Sequence, residues 1–265
     1  MSGYLLQLSD LEVQRYRRMA EGAAAVEREL WQTAGITEAA TIADIGCGPG
    51  AMSVRLAGEV GREGRVWAVD ADPQALTLAA ALAAEAGVAN VETVLGAADA
   101  TGLPPASVDV AMLRHVLAHN GGREQAIVDH LAGLVRPGGC VYLVDIDYTA
   151  TRIRPVDDDV ADLHDRYREL HRRRGNDLSV GLRLAELLRA AGLDIVDFSG
   201  RYKILELPPG VRGPAWAARE ALAQTGLAEP ADIERWAAAF ERADGRAARP
   251  TLFAAGFIGI GRAPA

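Results

Sequence analysis

The sequence has 265 residues, a formal net charge of −8 at pH 7 and only two cysteines. This length fits one large domain, or one domain with an insertion, and two cysteines are too few for a disulfide framework. A nucleic-acid footprint would be basic and clustered, so the acidic balance disfavours nucleic acid as a partner. No apolar run reaches the roughly 18 residues of a membrane span, and the first residues lack the pattern of a secretion signal. We therefore expect a soluble cytoplasmic protein with no nucleic-acid and no membrane partner.

The first half of the chain alternates between helical and extended patterns. Residues 9–34 are predicted to be helical, because Ser9 and Glu12 form a capping-box pattern and Gly35 marks a stop. Strand patterns follow, with helical stretches between them, at 41–45, 64–70, 91–95, 108–114 and 140–146. This rhythm predicts a parallel sheet with helices on both faces. Ligands bind such sheets at the carboxyl ends of the strands.

The pattern changes after residue 150. Two helical stretches lead to a strand at 194–198, and a last strand is predicted at 251–262. The stretch between them contains several prolines and at least two helical patches, which indicates an insertion. We predict three parts, namely an N-terminal helical lid segment at 1–35, a main domain at 36–204 and 251–265, and a helical substrate cap at 205–250.

A glycine-rich stretch, TIADIGCGPG, spans the first strand and the turn after it. Gly46, Gly48 and Ala51 satisfy the G-x-G-x-x-G/A pattern of dinucleotide-binding proteins. Asp70 follows 19 residues after Ala51, where such proteins carry a ribose-binding acid. Asp44 argues against a dinucleotide, because a buried carboxylate in this strand is costly unless it is hydrogen-bonded. The stretch alone leaves a nicotinamide-dependent oxidoreductase open as one interpretation.

Segments of the chain resemble, in the right order, the motifs of class I S-adenosylmethionine-dependent methyltransferases. ADIGCGPG resembles their first motif, which runs acidic-x-Gly-x-Gly-x-Gly. Their adenine-contacting segment is similar to GAADATGLP (96–104). Their fourth strand with its loop is similar to SVDVAMLRHVLAHN (107–120), and their fifth strand is similar to LVRPGGCVYLVD (134–145). The resemblance covers about residues 36–146. It implies an α/β fold with a Rossmann-like, seven-stranded, mostly parallel sheet, helices on both faces and an antiparallel last strand, beside the N-terminal helical segment and the helical insertion.

The resemblance also implies S-adenosylmethionine as the cofactor and S-adenosylhomocysteine as its product. Asp70 would accept hydrogen bonds from both ribose hydroxyls, and Asp99 would accept one from the adenine amino group. Asp44 would hold either the ammonium of the methionine end or the glycine loop itself. Arg114 would contact the methionine carboxylate or a loop carbonyl, and Tyr16 would lie over the cofactor as part of the lid. The other cofactor-binding positions are Gly46, Cys47, Gly48, Gly50, Ala71, Ala98 and His115.

Candidate catalytic residues must lie near the carboxyl ends of the fourth and fifth strands. His115 and His119 follow the fourth strand, four residues apart, and would share one face if their loop began a helix. Asp147 and Tyr148 follow the fifth strand and are expected to line the pocket of the methyl acceptor. A base is needed only if the acceptor loses a proton during transfer, and His119 is the first choice for it. The sequence predicts no metal site.

These features predict an enzyme that transfers a methyl group from S-adenosylmethionine to an O, N or C atom of a small-molecule metabolite, for example in secondary metabolism. Two alternatives stay open. The protein could bind the same cofactor but catalyse a cyclisation or rearrangement without methyl transfer, or it could be an NAD(P)-dependent oxidoreductase. The expected partner is a small-molecule substrate, and a homodimer is compatible with the sequence.

Overall fold

The computed structural model describes residues 10–265, so residues 1–9 of the predicted lid segment lie outside the described part. Its strands, β1 to β7, are Thr41–Ile45, Arg65–Asp70, Val91–Leu95, Val108–Arg114, Val135–Arg154, Asp194–Glu206 and Thr251–Arg262. The α-helices of the described residues, α1 to α9, are Asp10–Ala34, Ala51–Val60, Pro73–Glu85, Glu124–Leu134, Asp158–Arg173, Leu184–Ala190, Pro214–Ala217, Arg219–Gln224 and Pro230–Asp244. Within residues 10–265, no helix combines the length and the apolar character needed to cross a membrane.

All seven strands join one sheet in the order β3-β2-β1-β4-β5-β7-β6. Neighbouring strands from β3 to β5 run parallel, whereas β7 lies antiparallel between β5 and β6. This arrangement confirms the predicted Rossmann-like sheet and its antiparallel last strand. The register aligns Asp44 of β1 with Ala68 of β2 and Met112 of β4. The carboxyl ends of these strands therefore meet at one edge, where the loops after them come together.

Both faces of the central strands are covered by helices, and alternate side chains of a strand point to opposite faces. In β1, Ile42 joins a cluster with Trp31 of α1 and Leu56 of α2, and Ala43 joins a second cluster that includes Leu131 of α4. All five of these side chains are at most 1% exposed. The continuous apolar strands of the sequence are thus explained by helices on both sides.

Two strands are longer than the sequence predicts. The fifth strand, expected at 140–146, spans Val135–Arg154, and the sixth, expected at 194–198, spans Asp194–Glu206. Their extra residues pair with the first half of β7, for example Ile153 with Leu252. Local sequence patterns missed these extensions because pairing with a distant strand, rather than local propensity, sets their length.

Helices α7 to α9 lie between β6 and β7, within the predicted insertion. Trp236 of α9 is fully buried and donates to Asp162 of α5 at 3.0 Å. Arg235 of α9 also forms ion pairs with Asp159 and Asp162. These contacts fasten α9 to α5, and the role of the segment as a substrate cap stays a prediction.

Candidate functional site

A cleft of about 1300 Å³ opens at the carboxyl ends of the parallel strands. Typical small-molecule pockets occupy roughly 300–1,000 Å³, so this cleft has room for a cofactor and a second small molecule. The sequence predicted ten of its lining residues, which are Tyr16, Gly46, Gly48, Asp70, Ala71, Ala98, Arg114, His115, His119 and Tyr148. Five other predicted residues, all in the described part of the chain, do not line it, namely Asp44, Cys47, Gly50, Asp99 and Asp147.

The glycine loop after β1 forms one wall of the cleft. Gly48 adopts φ +54°, and a Cβ added to it would lie 3.6 Å from the Tyr16 ring of α1. Tyr16 therefore lies close to the loop, and its predicted role over the cofactor stays a prediction. Gly50 has a different surrounding, because a Cβ there would lie 2.6 Å from the Cβ of Ala79 in α3. This glycine lets α3 pack closely against the loop, and its predicted contact with the cofactor stays a prediction.

Gly50→Ala is expected to lower the free energy of unfolding by about 1–3 kcal/mol, because the new methyl group meets backbone and φ is +80°. Gly58, in α2, is a matched control because no atom lies within 4 Å of a Cβ added there. Gly58→Ala should instead raise the stability by about 0.5–1 kcal/mol, the usual gain in a helix. Urea unfolding measures both, and equal effects of the two substitutions would contradict this assignment.

Asp44 is a buried acid of β1 that precedes the glycine loop. Its side chain is 2% exposed and accepts a hydrogen bond of 2.6 Å from Ser53 Oγ of α2. Burial raises the pKa of Asp44 to about 6, and the Ser53 hydrogen bond partly opposes this. This hydrogen bond joins β1 to α2, and both predicted roles of Asp44 stay predictions. Cys47 is also buried, with a pKa raised by burial, and its side chain fills space behind the loop.

Asp70 ends β2 and faces the cleft. Its carboxylate accepts from the Gly48 amide at 2.8 Å and from the Asp72 amide at 2.9 Å. Burial raises the pKa of Asp70, and these backbone hydrogen bonds partly offset the rise. The carboxylate thus joins the glycine loop to the start of α3 and still presents lone pairs to the cleft. Ala71, which follows Asp70, and Ala98, which follows β3, also line the cleft.

Asp99 is not among the cleft-lining residues, but its partner Arg123 is, and the predicted adenine contact of Asp99 stays a prediction. Its carboxylate forms an ion pair with Arg123, whose Nε donates at 3.0 Å. The hydrogen bond from Arg123 lowers the pKa of Asp99. Because Arg123 lies 24 residues further along the chain, no local pattern could reveal this pair.

Arg114 lies at the cleft, but its guanidinium has a protein partner. It donates to both carboxylate oxygens of Glu27 in α1, at 2.7 and 3.0 Å. Tyr142 Oη also donates to Glu27, at 2.9 Å. Burial raises the pKa of Glu27, but the hydrogen bonds and charge of Arg114 lower it overall. The sequence analysis missed Glu27, which binds α1 to the sheet and compensates the charge of Arg114.

His115 and His119 lie on the loop after β4, and both line the cleft. His115 adopts φ +57°, and the chain then makes only a short 3-10 turn at Leu117–His119. The helix that would have given the two rings a common face does not form at this point. Burial, followed by the charge of Arg114, lowers the pKa of His115 well below its usual value. Burial and the charge of Arg15 lower the pKa of His119 to about 4, so both rings are neutral at pH 7.

His171 of α5 packs behind His119, with ring centroids 5.1 Å apart. Asn176 Oδ1 accepts from the Gly121 amide, so the Asn176 amide nitrogen donates to His171 Nδ1 at 2.9 Å. Neutral His171 therefore carries its proton on Nε2. This nitrogen is buried without a hydrogen-bond partner among residues 10–265. The sequence offered no signal for this contact beyond the helical spacing around His171.

Tyr148 lines the cleft after β5, whereas Asp147 does not. The Tyr148 hydroxyl lies 2.6 Å from His164 Nδ1, and burial raises the pKa of Tyr148 well above its usual value. Asp147 accepts from the amide and hydroxyl of Thr149 at 2.9 and 2.5 Å. The carboxylate thus organises β5 next to its register irregularity, and its place in the acceptor pocket stays a prediction.

The sheet order separates two families that share the glycine pattern. Dinucleotide-binding proteins with this pattern have the order 3-2-1-4-5-6, whereas an antiparallel β7 lies between β5 and β6 here. Residues 42–139, which run from β1 to the first residues of β5, match the family model described as a methyltransferase domain. Residues 42–139 of this chain thus form a methyltransferase domain. This confirms the prediction of an S-adenosylmethionine-dependent methyltransferase over that of a nicotinamide oxidoreductase.

Solved structures with similar folds support the methyltransferase domain. A candidate methyltransferase of Bacillus halodurans has a TM-score of 0.61 and 17% identity over 91% of this chain and 100% of its own. An S-adenosylmethionine-dependent methyltransferase of Aquifex aeolicus has a TM-score of 0.54 and 13% identity over 95% and 98%. The (4+2)-cyclase SpnF has a TM-score of 0.54 and 20% identity over 94% and 80%. No curated protein sequence matches this chain significantly.

These structural similarities establish the fold of the methyltransferase domain, but at such low sequence identity they do not establish its substrate. Together with the family model, they support S-adenosylmethionine as its cofactor. The glycine loop and the ends of β1 and β2 lie inside the matched residues, whereas Tyr148 and His171 lie outside them. The cleft therefore extends beyond the matched residues to Tyr148 of β5.

Asp145 of β5 is a cleft residue that the sequence analysis did not single out. It is 1% exposed and accepts from the backbone amides of Ile146 at 2.9 Å and Ala118 at 3.3 Å. These bonds join the end of β5 to the loop that carries His119. Burial raises the pKa of Asp145 to about 7, and the backbone hydrogen bonds partly oppose the rise. Its position as an acid at the carboxyl end of a predicted strand was the available signal.

The titration of Asp145 predicts a pH-dependent stability. Its folded pKa of about 7 lies above the ordinary 3.8, so the stabilisation from its bound proton is present below about pH 4 and lost as pH rises through 7. Asp145→Asn removes this titration. Relative to the wild type, the variant should gain on the order of 3 kcal/mol of unfolding free energy between pH 4 and pH 8. Urea unfolding at both pH values tests this, and a difference that stays constant with pH would contradict it.

Proposed function

We propose that the protein transfers the methyl group of S-adenosylmethionine to a small molecule bound in the same cleft, beside His119. The observation that carries this proposal is the continuity of one cleft. Its lining runs from Gly48 and Asp70 to His119 and Tyr148. The residues expected to hold the cofactor and those expected to contact the methyl acceptor thus line one space.

The residues at the first end fit the cofactor. Gly46 and Gly48 would let the methionine portion pass beside the backbone, and Asp70 would accept from the ribose hydroxyls. Ala71 and Ala98 would flank the adenine. A Cβ added to Gly48 would lie 3.6 Å from the Tyr16 ring, so α1 packs close to this part of the loop.

S-adenosylmethionine supplies a methyl group on positive sulfur, which is already activated for in-line displacement. The protein's own work is then to position the acceptor and exclude water. Neutral His119 would accept a hydrogen bond from the acceptor's hydroxyl or amine and hold its lone pair toward the sulfur. Its pKa of about 4 makes it a weak proton acceptor, which favours positioning over full proton removal.

The size of the acceptor is limited by the elements over the cleft. Arg15, Tyr16 and Met19 of α1 line one side, Tyr167 of α5 lines another, and Pro214 of α7 contributes from the insertion. A space enclosed from three separate segments suits a compact metabolite better than a polymer. The match of SpnF in fold keeps cofactor-assisted cyclisation as the alternative reaction.

The test combines binding with product analysis. Calorimetric titration should show binding of S-adenosylhomocysteine and none of NADH or NADPH. Incubation with methyl-labelled S-adenosylmethionine and a metabolite library should place label on a small product. A converted but unlabelled metabolite would support the cyclisation alternative, and binding of a nicotinamide nucleotide instead would overturn the proposal.

A further inference from the structure

The last strand of the sheet, β6, has an exposed apolar face. Phe198, Tyr202 and Ile204 are 42%, 58% and 63% exposed, although aromatic and aliphatic side chains are usually covered. They alternate along the strand, so they lie on one face. Phe198 stacks on Phe257 with ring centroids 6.2 Å apart. A contiguous apolar patch of this kind marks an interaction surface.

The same strand forms an open edge. In the sheet order, β6 is terminal and pairs only with β7 among the described residues. Its outward amide and carbonyl groups are therefore available to another strand. Exposed edges commonly carry charges that block indiscriminate pairing, and β6 carries Asp197, Arg201 and Lys203. A partner strand must therefore match these charges.

The β6 sequence matches itself. In an antiparallel pair of two β6 strands centred on Gly200, residues whose numbers add to 400 stand opposite each other. Asp197 then faces Lys203, and Phe198 faces Tyr202, each twice because of the two-fold symmetry. Opposite charges and aromatic pairs are the favourable cross-strand combinations.

Neighbouring registers are worse. Two side chains that stand opposite each other must lie on the same face of the joined sheet. The register can therefore shift only in steps that keep the sum of the two residue numbers even. Centring on Arg201 places two arginines together, and centring on Tyr202 places Arg201 against Lys203. Centring on Ser199 pairs Asp197 with Arg201 but leaves Phe198 against Gly200. The Gly200 register alone satisfies both the charges and the rings.

We propose that two copies of this protein associate through antiparallel pairing of β6 residues 197–203 about Gly200. The segment begins beyond the register irregularity between Ile195 and Asp197, so its pairing to β7 is regular. The two sheets join into one continuous sheet. The aromatic side chains of the two β6 strands then cover each other. The clefts, at the carboxyl ends of β1, β2 and β4, remain open.

Charge reversal with complementation tests the register. Sedimentation equilibrium should show a dimer for the wild type and a dissociation constant at least roughly tenfold higher for Asp197→Lys or Lys203→Asp, because two attractive pairs become repulsive. An equimolar mixture of the two variants should restore a heterodimer, since both of its cross-strand pairs are again complementary. Glu63→Lys is the control, because it makes the same charge change on an exposed residue away from β6. Circular dichroism confirms folding of each variant.

Cross-linking gives a second, independent readout. Lys203 is the only lysine of the chain, so a zero-length carbodiimide reagent has one side-chain amine available. Within one strand, positions 197 and 203 are roughly 20 Å apart, which no zero-length link can span. A Lys203–Asp197 cross-link in the dimer band supports the proposal. A wild type that stays monomeric, reversals that leave the dimer unchanged, or a mixture that fails to reassociate would each overturn it.

Discussion

Asp70→Ala is expected to weaken binding of S-adenosylhomocysteine roughly 150- to 25,000-fold. The carboxylate would accept from two ribose hydroxyls, and hydrogen bonds to a charged group contribute about 1.5–3 kcal/mol each. Its present bonds to the amides of Gly48 and Asp72 fix the carboxylate at the cleft wall before the cofactor arrives. Isothermal titration calorimetry measures the change directly.

Asp99→Ala is the matched control for Asp70→Ala. Both positions are aspartates that the sequence assigned to the nucleoside, but the Asp99 carboxylate is already paired with Arg123, a residue that lines the cleft. We expect the Asp99 substitution to change the affinity by less than about threefold, the scale of an exposed ion pair. Equal losses for the two variants would support the adenine role of Asp99, and an unchanged affinity in Asp70→Ala would reject the ribose role. Thermal unfolding of each variant excludes loss of fold as the cause.

His119→Ala is expected to lower kcat roughly 100- to 1000-fold while the affinity for S-adenosylhomocysteine stays within about twofold. The ring would contact the acceptor rather than the cofactor, so the two quantities should separate. His130→Ala provides the control, because His130 bonds to Thr101 and does not line the cleft. Single-turnover measurements with the acceptor found by library screening supply the rate. Full activity of His119→Ala would remove this residue from the reaction.

The pH profile of wild-type kcat gives the His119 assignment a second test. The ring must be neutral to accept a hydrogen bond, and its pKa is about 4. The rate should therefore stay flat with respect to this group from pH 8 down to about pH 5 and fall as pH drops through 4. A loss of rate centred near pH 6.5 that disappears in His119→Ala would show an ordinary, solvated histidine and contradict the buried position.

The parts of the fold that depend on local pattern could be predicted from the sequence. Strands 91–95, 108–114 and 251–262 have the predicted bounds, because each is an apolar run between clear turn signals. The glycine loop and Asp70 were also predictable as a pair that meets at the carboxyl ends of adjacent parallel strands. The lengths of β5 and β6 were not, since they depend on pairing with β7.

The partners of charged side chains were the main failure of sequence reasoning. Arg114 pairs with Glu27, which lies 87 residues away, and Asp99 pairs with Arg123. An acid or base near a motif indicates where charge is located but not which group compensates it. Asp145 shows the reverse case, because its place at the end of a strand was visible while its burial and backbone partners were not.

A crystal structure of the complex with S-adenosylhomocysteine tests the central claim most directly. The account predicts the homocysteine portion beside Gly46 and Gly48, the ribose hydroxyls on Asp70, and the sulfur facing the space between His119 and Tyr148. A nucleoside bound outside this cleft, or a sulfur turned away from His119, would contradict it.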